Sequence, residues 1–138
     1  MLRGLTTVSY WADDLEAAAN WYTEVLGIEP YFAGARGGYY EFRIGDYQHE
    51  LGLIDRRYQP EGVAGGPGGT VVYWHVDDVD AAVDRLVGLG ADLHEAPRDR
   101  GQGFVTATVI DPFGNILGVM YNPHYLDVLT GAGRAAAN

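Results

Sequence analysis

Apolar and polar residues alternate from the start of the chain. Over residues 5–11, Leu5, Thr7, Ser9 and Trp11 share one side and Thr6, Val8 and Tyr10 the other, the period-two pattern of a strand. The period then lengthens. Leu15, Ala18, Ala19, Tyr22, Val25 and Leu26 recur at helical spacing, with Asp13 and Asp14 as cap and acidic first turn and Gly27 as the terminating glycine. Short strands are expected at 28–32, 39–44 and 48–54, separated by glycine-bearing turns at 33–38 and 45–46. Residues 59–69, QPEGVAGGPGG, read as a linker. The pattern then restarts. A strand at 70–76 leads to a cap at Asp77-Asp78 and a helix with Val79, Ala82, Val83, Leu86 and Val87 on one face, closed by Gly90. Strands at 93–95, 104–110 and 116–121 follow, with 98–103 a turn-rich loop and DPFGN, 111–115, a tight turn. Residues from 123 on read as a tail that frays over 131–138.

The restart is a repeat. ADDLEAA at 12–18 matches VDDVDAA at 76–82, Leu26-Gly27 matches Leu89-Gly90, and Leu51-Gly52 matches Leu117-Gly118. A period of about 64 residues is too long for a solenoid and suits two β-α-β-β-β modules. The expected fold is α+β: two tandem modules, 1–58 and 70–123, joined by the 59–69 linker and followed by a 124–138 tail. Each helix covers one face of its mixed sheet and leaves the other bare. The bare faces together are expected to form a cupped sheet with a concave pocket.

Composition narrows the function. The chain has 138 residues, 47% of them apolar, enough for a normal core. It has no cysteine, which removes disulfides and thiolate nucleophiles. No apolar run reaches membrane-spanning length and no signal peptide is visible, so a cytoplasmic protein with no membrane partner is expected. The net charge is −10, and all nine basic residues are arginine. Such acidity argues against nucleic acid and is compatible with a cationic small ligand, but ordinary solubility charge is the simpler explanation.

The strand followed by DDLEAAANWYTEVLG, and DPFGN ahead of the final strand, resemble the vicinal oxygen chelate superfamily: glyoxalase I, extradiol dioxygenases, and fosfomycin- and bleomycin-resistance proteins. The resemblance runs from about residue 3 to 123. Metal enzymes of that group take His, Glu or Gln ligands from the first and last strand of each module. Carried over, those positions are Thr7, Val71, Gly52 and Gly118, which lack competent donors, so no metal and no cofactor are expected. A one-residue slip would bring Glu50 or His49 nearer and leave the second module without a donor. Glycine at both final strands is expected to empty the centre of the pocket. The resemblance also implies a homodimer, with modules pairing within or between chains.

The expected ligand-binding residues are Thr7, Ser9, Trp11, Glu50, Gly52, Val71, Tyr73, His75, Phe104, Gly118 and Met120, lining an aromatic, mostly apolar cavity. Glu41 and Arg43 face either the pocket or solvent, and alternation alone leans toward solvent. His75, Glu50 and Tyr73 are the candidate acid–base groups. For His75 the competing reading is a hydrogen-bonded structural histidine, and His49, His94 and His124 are assigned to edges and connections. The paired aspartates are simplest as helix caps, and no G-x-S-x-G nucleophile is present. Two functions follow. One is a metal-independent binding protein of the bleomycin-resistance type, an antibiotic-resistance function in which an aromatic or cationic natural product is sequestered. The alternative is an isomerase, cyclase or lyase of the same superfamily, or a glyoxalase or dioxygenase with displaced ligands.

Overall fold

The structure is a computed structural model that describes residues 1–63 and 65–131. The expected fraying of 132–138 lies outside the described residues. The described residues form two α+β units, each a four-stranded mixed sheet with a helix on one face. No helix among them is long and apolar enough to cross a membrane.

Unit 1 comprises 1–69 together with 112–115. Strand β1 (Thr7–Ala12) leads into helix α1 (Leu15–Leu26), and β2 (Phe32–Gly34), β3 (Tyr39–Ile44) and β4 (His49–Asp55) follow. The sheet order is β1-β4-β3-β2, with β1 parallel to β4 and the other pairs antiparallel. Asp14 caps α1 by accepting from the Ala17 N–H at 3.0 Å. Gly27 ends it at φ 69°, where a side chain would be strained. Leu15, Ala18, Ala19 and Tyr22 of α1 are buried with Tyr10, Ala12, Phe42, Leu51 and Leu53 of the strands, the side chains that alternation sends to the helix face.

Unit 2 comprises 70–111 and 116–131 of the described chain. It repeats the plan with β5 (Val72–His75), α2 (Val79–Gly88), β6 (Asp92–Gly101), β7 (Phe104–Ile110) and β8 (Ile116–Tyr121), in the order β5-β8-β7-β6. Asp78 caps α2 as Asp14 caps α1. Val79, Val83 and Leu86 are buried along with Ala107, Val109, Leu117 and Val119.

Three expectations about elements change. The first module's second strand lies at 32–34 rather than 28–32, because pairing with β3 selects Phe32 opposite Glu41. Residues 98–101, expected as loop, continue β6, which holds its pairing with β7 through three register shifts. The bulges hid the strand, since they break the period-two pattern. Residues 123–130 are not a tail but a third helix, α3 (Pro123–Thr130), capped by the Asn122 side chain on the Tyr125 N–H, with Pro123 in its first turn and Gly131 at φ 85°. Proline at a helix start and glycine after its end are the signals that identify it.

Candidate functional site

The face of unit 1 opposite α1 is set by register. Cross-strand partners place Thr7, Glu50 and Arg43 in one row, Ser9, Gly52, Glu41 and Phe32 in the next, and Trp11, Ile54, Tyr39 and Gly34 in the third. Phe42, between Glu41 and Arg43, is fully buried against the helix side, so Glu41 and Arg43 lie on the open face. β3 is an inner strand whose other side Phe42 anchors, and on the open face Arg43 is exposed and Glu41 half-buried.

The expectation of an emptied centre is corrected. The Tyr39 ring lies directly over Gly52, where a Cβ would approach its Cε2 to 2.9 Å and its hydroxyl to 3.1 Å. In unit 2 the Tyr73 ring covers Gly118 in the same way, at 2.7 and 3.0 Å from a notional Cβ. At Gly52 the tyrosine ring fills the space a side chain would take, and at Gly118 the Val72 carbonyl oxygen, 2.8 Å from the notional Cβ, closes it together with the ring.

Tyr39 donates its hydroxyl to Glu41 Oε2 at 2.5 Å, and Glu41 and Glu50 are hydrogen-bonded to each other. The hydrogen bond from Glu50, and then that from Tyr39, hold the Glu41 carboxyl below the usual carboxylate range. The same Glu41–Glu50 hydrogen bond, followed by burial and the Glu41 charge, pushes Glu50 up. Burial first, then the bond to Glu41, raises the Tyr39 phenol well above its ordinary value, so it stays a donor. The pair therefore loses its protons in order, Glu41 before Glu50. Arg43 Cζ lies 3.7 Å from the centre of the Tyr31 ring, a cation–π contact beside the acids.

Trp11 is held by an unusual partner. β1 is an edge strand, and at Trp11 its outer backbone groups meet the side-chain amide of Asn115. The Trp11 N–H donates to Asn115 Oδ1 at 3.2 Å, and Asn115 Nδ2 donates to the Trp11 carbonyl at 2.9 Å. Arg56 ties the same turn down, donating to the Phe113 carbonyl at 3.0 Å and pairing with Asp13 at 3.1 Å.

Among the sequence-derived site residues, Thr7, Ser9, Trp11, Glu50 and Gly52 share this face, with Thr7 opposite Glu50 and Ser9 opposite Gly52. In unit 2, Tyr73 pairs with Gly118 and His75 with Met120. Val71 lies just before β5, and Phe104 opens β7 beyond its pairing with β8, away from the Tyr73 row. His75 is fully engaged. Its Nδ1 accepts from the Asn122 N–H at 3.1 Å, its Nε2 lies 3.3 Å from Asp77 Oδ1, and its ring stacks on Tyr125 at 4.7 Å. With both nitrogens occupied and the side chain 8% exposed, it fits the structural reading rather than an acid–base role. Sequence reasoning missed Tyr39 and left Glu41 undecided. The visible clue was glycine at a sheet centre beside a tyrosine-rich strand.

The four positions that the resemblance assigns to metal ligands do not fit a divalent cation. Gly52 and Gly118 offer no donor and are roofed by tyrosine, Val71 is aliphatic, and Thr7 brings a single hydroxyl. Among the described residues, no three His, Asp or Glu side chains converge to hold an ion.

Comparison with known proteins agrees with this architecture. A search of curated protein sequences returned no match. Among solved structures, a glyoxalase-related enzyme from Fulvimarina pelagi superposes with a TM-score of 0.71 at 23% identity, covering 88% of this chain and 90% of the other. A lactoylglutathione lyase from Agrobacterium tumefaciens gives 0.65 at 25% identity, covering 86% and 93%. A glyoxalase/bleomycin resistance protein from Catenulispora acidiphila gives 0.60 at 22%, covering 87% and 100%. The sequence profile of one family matches residues 4–119, and the chain belongs to that family, the Glyoxalase/Bleomycin resistance protein/Dioxygenase superfamily.

Proposed function

We propose that the chain is a metal-independent receptor of the bleomycin-resistance type for a small molecule that carries both a cation and an aromatic ring. The observation that carries this reading is the Tyr39–Glu41–Glu50 cluster on an open sheet face, one row from Trp11. Glu41 keeps its negative charge under most conditions, and an ammonium group placed beside it gains a charge-assisted hydrogen bond. Tyr39 and Trp11 supply ring faces that attract the same cation and stack on a planar ligand. The overall charge of −10 favours the approach of a cation.

Benzylammonium is the simplest probe, followed by NMR or calorimetric titration. Saturable binding is expected, weakened about tenfold in Glu41→Gln, the loss of one charged hydrogen bond. Affinity should rise with pH as Glu50 gives up its proton, since the ionised pair attracts the cation more strongly. Equal binding by Glu41→Gln and the unaltered protein would overturn the reading.

The same pair supports a second reading. Two carboxyls whose proton affinities are pushed apart are the arrangement of an acid and a base in proton transfer. Glu50 would donate and Glu41 accept, in an isomerase or lyase without metal. Turnover that disappears in Glu50→Gln while probe binding persists would favour this reading over pure sequestration.

A further inference from the structure

The two carboxyls of unit 1 have a cation of the chain's own within reach. Arg43 of β3 pairs in register with Glu50 of β4, on the same open face as Glu41. Side chains paired in this way start about 5 Å apart at their Cβ atoms, well inside the span of a guanidinium. An ion pair is the expected outcome in a chain with 19 acidic side chains and nine arginines. Among the described residues no such pair forms: the ion pairs there are those of Arg56, Arg57, His75 and Arg100. The Arg43 guanidinium rests instead on the Tyr31 ring, with Cζ 3.7 Å from its centre.

Tyr31 comes from the bend that leads into β2 and is 59% exposed. Its neighbour Phe32 opens β2 opposite Glu41, and the Phe32 ring lies 6.1 Å from that of Tyr39, the phenol that donates to Glu41. Two consecutive aromatic residues thus serve the two sides of the acid cluster. Phe32 packs beside the donor, and Tyr31 holds the cation. The balance between the two places open to Arg43 is close. An exposed cation–π contact and an exposed ion pair stabilise by similar small amounts, so losing the ring is enough to move the guanidinium. Its charge is already felt across the gap, since Arg43 favours the ionised form of both Glu41 and Glu50. Carried over to Glu50, the guanidinium would neutralise the pair and take the place of an external cation.

We propose that Tyr31 is a positioning residue that keeps Arg43 off the Glu41–Glu50 pair, and that the arginine is a built-in competitor for the cation site. The competitor role rests on the receptor reading above, whereas the placement of the arginine is independent of it.

Two measurements on the full chain test this. In the first, without ligand, the Glu50 carboxyl is titrated by NMR. Tyr31→Leu keeps an apolar side chain but no ring, and should lower the Glu50 midpoint as the guanidinium closes on the ionised acid. Tyr31→Phe keeps the ring face and should titrate like the parent. Arg43→Gln should raise the midpoint, with or without Tyr31→Leu. In the second, benzylammonium is titrated into the same variants. Tyr31→Leu should weaken it about twofold to fivefold, the range of an exposed cation–π contact. The double variant should bind as Arg43→Gln alone does, because without the competitor Tyr31 has nothing left to hold. A double variant weaker than Arg43→Gln would mean that the ring touches the ligand itself and would overturn the proposal, as would a Glu50 midpoint unmoved by Tyr31→Leu. Tyr31 and Arg43 are exposed, so these variants keep the fold, which their spectra verify. Failure of the probe to bind any variant overturns the receptor reading and with it the competitor role, while the ligand-free titration still decides the position of the arginine.

Discussion

Glu41 and Glu50 are the same residue type on adjacent strands, and their environment pushes their proton affinities in opposite directions. Glu50 is raised from its ordinary 4.5 because its neutral form donates to Glu41. Its contribution to stability is therefore complete below pH 4.5 and is lost as pH rises through the raised value. Glu41 is lowered because its ionised form accepts two hydrogen bonds. Its contribution is present above 4.5 and is lost as pH falls through the lowered value. Glutamine at position 50 imitates the neutral acid. Glu50→Gln should thus match the parent near pH 4.5 and become the more stable protein from about pH 5 to 7, the window above an ordinary carboxylate's titration. Thermal midpoints measured across that range decide it. A parent that stays parallel to the variant would mean the two carboxyls do not share a proton.

At the scale of elements, the DPFGN turn has a role that its sequence only half discloses. Asp111-Pro112 and Gly114-Asn115 are legible as turn chemistry, and Gly114 indeed takes φ 91°. What Asn115 does next was not legible, because its partner is Trp11, 104 positions away. The amide side chain imitates a neighbouring peptide on the free edge of β1, satisfying a donor and an acceptor that an edge strand otherwise exposes. Asn115→Ala should lower stability by about 1–3 kcal/mol, two partly buried hydrogen bonds, as read from urea unfolding. Asn115→Asp, which keeps the acceptor but sets a charge against the Trp11 carbonyl, should not restore it. An alanine variant as stable as the parent would mean that water serves that edge equally well. The caps of α1 and α2 were legible for the opposite reason. Asp14 and Asp78 act on amides three residues away, so local sequence contains the whole interaction. β6 and the position of Tyr39 over Gly52 depend on bulges and cross-strand neighbours, which no local pattern encodes.

For the whole molecule, duplication explains why the fold was readable while the candidate sites were less so. Two copies of one pattern reinforce each other at buried positions, where alternation and helical spacing must be kept: Leu51 repeats as Leu117, and Ala18 lies where Ala82 does. Open-face positions carry no such constraint, and there the copies diverge. Glu50 and Gly52 of β4 correspond in register to Ile116 and Gly118 of β8, and Glu41 of β3 to Thr108 of β7. The divergence is largest in charge, and charge is also what the molecule as a whole must manage. A chain of net charge −10 repels itself when folded, and the pairs that oppose this are mostly exposed, such as Arg100 with Glu95 and Arg57 with Asp55. Exposed pairs each contribute about 0–1 kcal/mol, and salt screens them over the same distance of about 8–10 Å that screens the repulsion. Exposed pairs of that size do not outweigh an excess of ten like charges, so screening should favour the folded state. Raising NaCl from about 0.02 to 0.3 M at pH 7 should therefore increase the thermal midpoint, a range over which the screening length falls several-fold. The monovalent salt matters, because sulfate would stabilise any fold through surface exclusion. A midpoint that falls with NaCl would mean that the local pairs, Arg56 with Asp13 foremost, contribute more than the net charge removes.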